Sequence, residues 1–136
     1  MKSAFGTLFL YAAGVFSLLT TLSSVANPVN FGRRLGLLVG VPDGFNEIRA
    51  QYGGFFFAVA VVNALVLAKI LPRNTGYVID AALFGGLFLG RLISLFLDGG
   101  FSHYGATIGS LFFIDGIAFA LSLTSLLLER SSMQLA

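Results

Sequence analysis

The chain has 136 residues, of which 57% are hydrophobic and only 10% charged, and its mean hydropathy is +0.91. Soluble domains carry roughly 45–50% apolar and about 25% charged residues, so 8 basic and 6 acidic side chains cannot clothe a water-soluble globule of this length. A soluble enzyme, a disordered chain and a nucleic-acid binder are thereby excluded, and with no Cys there are no disulfides, thiolate metal sites or palmitoylation.

Four apolar segments follow in chain order, at about Ser3–Ser24, Ile48–Leu71, Tyr77–Leu97 and Gly105–Leu128. Each is about 20 residues long, the length an α-helix needs to cross ~30 Å of hydrocarbon. Stretches such as Phe55–Val62 and Leu83–Gly90 lack the strict alternation of a β-barrel strand. Helices satisfy their own backbone in lipid. The expectation is therefore all-α: an antiparallel four-helix transmembrane bundle, a single integral membrane domain over residues 1–136 with an interfacial first loop. The N-terminus resembles a secretory signal, with Lys2, an apolar stretch and small residues at Ser24 and Ala26. Its apolar stretch exceeds the usual 7–15-residue signal core, so a retained first helix is expected.

The first connection, about Val25–Asn46, holds Pro28 and Pro42. Its apolar piece Leu35–Val41 is too short to span. An interfacial cover, with Arg33 and Arg34 among headgroups, is one reading, and a gate or re-entrant loop the other. Residues 72–76 form a polar turn, and 98–102 end the third span. His103, in the last loop, reads as a solvated or headgroup contact. Lys2, Lys69, Arg73 and Arg130 fall on the side of the termini, against Arg33, Arg34 and Arg49 on the other, which favours cytoplasmic termini. Small-residue pairs four apart, Gly86 with Gly90 and Gly105 with Gly109, are expected to pack helices within the bundle, with a dimer seam as the alternative.

Charged groups inside spans are costly, by ~2.5–3.5 kcal/mol on insertion scales, and usually face the bundle interior. Arg91 lies deep in the third span and Asp115 near the middle of the fourth. Counted from the shared non-terminal side they lie roughly 10 and 15 Å down, so an Arg91–Asp115 pair is sterically reasonable. On the third span Asp80, Phe84, Leu87, Arg91, Ser94 and Asp98 share one helical stripe. On the second, Asn46, Arg49, Gly53, Phe56, Ala60 and Asn63 share another. Arg49 and Asp98 are expected close together. The candidate ligand-binding cluster is Asn46, Arg49, Tyr52, Arg91, Asp98 and Asp115.

The strings NEIRAQYGG (46–54) and GRLISLFLDG (90–99) resemble a family of small four-span bacterial membrane proteins catalogued as a domain of unknown function. The resemblance covers the chain from the first span to the acidic residue of the fourth, where Asp115 stands in place of an expected Glu. It implies four helices, a shared polar site and a bacterial inner (cytoplasmic) membrane, and it brings no activity.

Hydrolase elbows, phosphate loops and His-Glu-x-x-His pairs are absent from the sequence. With one His and no Cys, neither a metal site nor a cofactor is expected. Three functions remain. The first is a non-enzymatic membrane protein binding a small polar or amphiphilic ligand, lipid or quinone-like, at the Arg/Asp cluster. The second is an accessory subunit of a membrane complex, or a homo-oligomer, docking through small-residue faces. The third is a lipid- or isoprenoid-modifying enzyme using Asp98 or Asp115 as acid and base.

Overall fold

The computed structural model describes residues 2–134, and all regular structure among them is helical. Helix α1 spans Lys2–Ala26, α2 Pro28–Arg34, α3 Pro42–Ile48, α4 Phe55–Leu67, α5 Arg73–Leu97 and α6 Ala106–Gln134. A π-helical segment, Arg49–Gly54, joins α3 to α4 without a break, and a 3-10 turn covers Phe101–His103. Four helices are long and apolar enough to cross a membrane: Ala4–Ala26, Pro42–Leu67, Arg73–Leu97 and Ala106–Ser131. The protein is an integral membrane four-helix bundle.

Each of the 3 prolines opens a helix. Pro28 and Pro42 occupy the first turns of α2 and α3, and Pro72 is the residue before α5. Proline lacks the N–H that a helix start leaves unpaired, so it costs nothing there. Asn27 adds a cap to α2, its side chain accepting from Asn30 N at 3.0 Å. The second crossing helix consequently starts at Pro42 rather than near Ile48, and it stops at Leu67, before Leu71. Lys69 there takes a positive φ of 63°, and the amides of Ile70 and Leu71 turn back onto Leu65 O. At the other end of the bundle Gly99 and Gly100, at φ 77° and 121°, supply the left-handed backbone that ends α5.

The helices form a ring in which α1 contacts α4 and α6, and α5 contacts the same two. Phe9, Leu10 and Ala13 of α1, Val66 of α4, and Tyr77 and Phe84 of α5 make up the buried core. The seam between α5 and α6 is a reciprocal glycine–phenylalanine contact. A Cβ on Gly85 would stand 2.7 Å from the Phe119 ring, and one on Gly116 would stand 3.0 Å from Phe88. The expected pairs do not form this contact: at Gly86, Gly90, Gly105 and Gly109 a Cβ would meet nothing within 4 Å. Gly85 precedes Gly86 by one residue, about 100° around a helix, so the face that packs is rotated away from the one the four-residue spacing marks.

The first connection is largely helical. Between α2 and α3, Leu35–Val41 is irregular, with Leu38 fully exposed and Val39 packed over Gly32 and Gly44. The expectation made for the side chain of His103 lies outside the described residues.

Candidate functional site

Along α5 burial falls steadily towards its C-terminal end. Asp80 and Phe84 are buried, Leu87 and Arg91 half-buried, Ser94 and Asp98 exposed. The bundle is tight near the termini and opens at the other end, and Arg91 sits at the transition. Its Nε donates to Asp115 Oδ2 at 2.6 Å, with the Arg91 side chain 19% exposed and that of Asp115 3%. The terminal amino groups of Arg91 have no hydrogen-bond partner among the described residues. A guanidinium has five donors in a rigid fork, so most of its capacity is uncommitted.

Two cavities meet at Arg91. The larger, about 830 Å³, lies between the π segment, α4, α5 and the start of α6, and its wall is mostly apolar, with Gln51, Tyr52, Ser94 and Tyr104 as further polar members. Phe55, Ala82, Gly86 and Gly90 in that wall are exposed, so the cavity opens sideways between helices. The glycines that make no helix contact thus keep this opening clear. The smaller cavity, about 340 Å³, lies under α2 and contains Asp115, Arg34, Thr20, Ser23 and Thr107. Leu35, Tyr52, Phe56, Leu87 and Arg91 belong to both walls.

Of the six residues expected together, Tyr52, Arg91 and Asp115 share the smaller cavity. Tyr52 is held by Phe31 of α2, ring centroids 5.1 Å apart. The other three stand elsewhere. Arg49 does not reach Asp98; its Nε donates to Val25 O at 3.4 Å, and Asn46 is exposed. The cause is the π segment. The stripe from Asn46 to Asn63 assumes uniform α-helix, but a π turn inserts an extra residue. From Gly53 onward the stripe holds, with Gly53, Phe56 and Asn63 buried. Asn46, upstream of the segment, and Arg49, at its first position, are turned outward and exposed. Asp98 accepts the O–H of Tyr104 at 2.6 Å. That hydrogen bond, reinforced by the carboxylate's charge, pushes the Tyr104 phenol up to about 12. Asp98 thereby positions a tyrosine of the larger cavity without lining it.

Two features escaped the sequence reading. Arg34 lines the smaller cavity rather than lying only among headgroups. At the closed end, Asn63 Nδ2 donates to both carboxyl oxygens of Asp80, at 3.1 and 3.2 Å, with Asp80 wholly buried and Asn63 1% exposed. Both residues lie on the two stripes, so the signal was present; their spacing from the non-terminal face set them apart from the cluster. No group of metal-ligating side chains occurs among the described residues.

The family model Domain of unknown function (DUF4345) matches residues 5–113. Neither a curated protein nor a solved structure matches the chain. With most of its length matched, the chain belongs to the DUF4345 family.

Proposed function

We propose that the protein binds a membrane amphiphile, lipid or quinone-like, whose polar head meets Arg91 while its chain lies in the sideways-opening cavity. The observation that carries this reading is the half-used guanidinium of Arg91. A positive group in hydrocarbon is retained only where it is paired and useful. Here Asp115 neutralises it through Nε, so the intramembrane ion pair stays balanced while the free amino groups are offered to a hydrogen-bond acceptor. The larger cavity, at about 830 Å³, falls within the ~300–1,000 Å³ range of small-molecule sites. Its apolar wall suits an acyl or prenyl chain.

Native mass spectrometry of gently extracted protein is the test. Wild type is expected to carry co-purified amphiphile, and Arg91→Ala to lose it while remaining helical. A folded Arg91→Ala variant that keeps the same adducts refutes the reading.

The site would lie in the outer half of a bacterial inner membrane, with both termini cytoplasmic. Lys2, Lys69, Arg73 and Arg130 on the side of the termini support that orientation. Since the chain has no Cys, a single cysteine at exposed Leu38 should react with an impermeant maleimide in intact cells. One at Ser131 should not; the reverse pattern inverts the topology.

A further inference from the structure

We infer that the head of the bound amphiphile carries one negative charge, a carboxylate or phosphodiester, and is clamped between Arg34 and Arg91 in the chamber beneath α2. This rests on the amphiphile reading above and adds the chemical class of the head and a second anchoring residue.

The two cavities differ in chemistry. The wall of the one under α2 includes two guanidiniums, one carboxylate and four hydroxyl side chains, whereas Arg91 is the one charged group in the wall of the larger, beside Gln51, Ser94 and two tyrosines. They share the wall formed by Tyr52, Phe56, Leu87 and Arg91. A ligand with a polar end and a long apolar end fits such a pair, with the head under α2 and the chain passing Arg91 into the larger space.

The charge of the head follows from a count over the smaller chamber. Arg34 and Arg91 contribute two positive charges and Asp115 one negative, leaving one positive charge uncompensated. Asp115 is engaged by Arg91 Nε, and Arg34 has no partner among the described residues. Arg34 is exposed at the rim of the chamber, and a head with a single negative charge is the complement of the one guanidinium that Asp115 does not balance. A phosphomonoester dianion would overshoot. A zwitterionic head would bring a cation whose available carboxylate is already bonded. Forked donors on Arg suit the two oxygens of a carboxylate or a phosphodiester alike. Thr20 Oγ1 donates to Phe16 O, but the hydroxyls of Ser23 and Thr107 have no partner among the described residues and can complete the head's hydrogen bonds. Arg34 stands at the last turn of short α2, on the segment that covers the chamber.

The experiment uses full-length protein, delipidated in neutral detergent, with adducts read by native mass spectrometry. Phosphatidylglycerol, oleate, phosphatidylcholine, ubiquinone and inorganic phosphate are titrated separately. Phosphatidylglycerol or oleate should bind at least about tenfold more tightly than phosphatidylcholine and ubiquinone, the size of one lost charged hydrogen bond. Whichever of the two binds better identifies the head as phosphodiester or carboxylate. Inorganic phosphate should bind more weakly than either, because it has no chain. Arg34→Gln, at an exposed position with no side-chain partner among the described residues, should weaken the anionic amphiphile by about tenfold or more, and Arg34→Lys should restore part of the loss. Equal binding of phosphatidylcholine or ubiquinone, or an Arg34→Gln variant that binds like wild type, overturns the inference. If Arg91→Ala alone then abolishes binding, the amphiphile reading survives without it; if Arg91→Ala also binds normally, both fall. Inorganic phosphate binding as tightly as the amphiphiles would make this a soluble-anion site and overturn the clamped-head model.

Discussion

Gly85 and Gly86 are adjacent in α5 and offer a matched pair of substitutions with opposite outcomes. Alanine at Gly85 places a Cβ 2.7 Å from one Phe119 ring carbon and 2.8 Å from another, whereas alanine at Gly86 meets nothing within 4 Å. Both positions are interior to the same 25-residue helix. The helix-propensity gain of glycine to alanine, up to about 1 kcal/mol, is therefore common to the two. Their difference isolates the steric term. Overpacking a filled contact typically costs about 1–3 kcal/mol, so Gly85→Ala should be less stable than Gly86→Ala by about that amount. Gly86→Ala should equal or exceed wild type by up to about 1 kcal/mol. Unfolding in mixed dodecyl sulfate micelles, followed by far-UV circular dichroism, measures both. If Phe119 swings aside without cost, the two variants coincide, and the tight α5–α6 seam is wrong. A Gly86→Ala variant that loses as much as Gly85→Ala would put the packing face where the four-residue glycine spacing suggested, and refute the geometry outright.

Asn63→Leu should destabilise the bundle by about 1–3 kcal/mol, because it strips the wholly buried Asp80 of the one side chain that hydrogen-bonds to it among the described residues. Adding Asp80→Leu should recover part of that loss, as removing both members of a buried polar pair is far cheaper than removing one; a double variant no better than the single contradicts this. For Tyr104, the sign follows from its O–H donating to Asp98. Its folded-state value of about 12 stands above the ordinary phenol value of roughly 10. The stabilisation is therefore complete below pH ~10 and disappears as pH rises towards 12. In an absorbance titration of phenolate, Asp98→Asn should move one tyrosine down towards the ordinary value; an unchanged curve would break the assignment.

Where helices are regular, the sequence was a good guide. The four apolar segments became four spanning helices because length and the demand for backbone hydrogen bonds leave lipid-bound chain few alternatives. Arg91 and Asp115 could be paired from depth alone, since α5 and α6 are both regular and antiparallel. The stripe of α5 was legible for the same reason, and it marks the axis along which the bundle opens. Arg49 and Asn46 could not be placed, because their phase depends on a π turn that no proline or charge announces. Arg34 was equally hidden. Its position depends on how a seven-residue helix folds back over the bundle, a matter of packing rather than periodicity. Glycine spacing misled because a Cβ-free position can serve either close helix contact or open space. Gly85 does the first and Gly86 the second, and one sequence pattern fits both.

The π segment ties this fold to its site. A wide turn leaves backbone groups imperfectly paired, and here α1 supplies compensation. Thr21 Oγ1 donates to Gly53 O at 3.2 Å, and in return Arg49 Nε donates to Val25 O at the end of α1. Gly53 itself lies so close to α1 that a Cβ would stand 2.8 Å from Val25. The inserted residue turns everything upstream by about 100° relative to a plain α-helix. Gln51 and Tyr52, inside the wide turn, line the cavity, and Phe56, just past it, both lines the cavity and packs against Phe16 at 6.1 Å. The irregular turn inside a spanning helix thus sets the phase of that helix's first part: Asn46 and Arg49 face outward while Gly53, Phe56 and Asn63 stay buried.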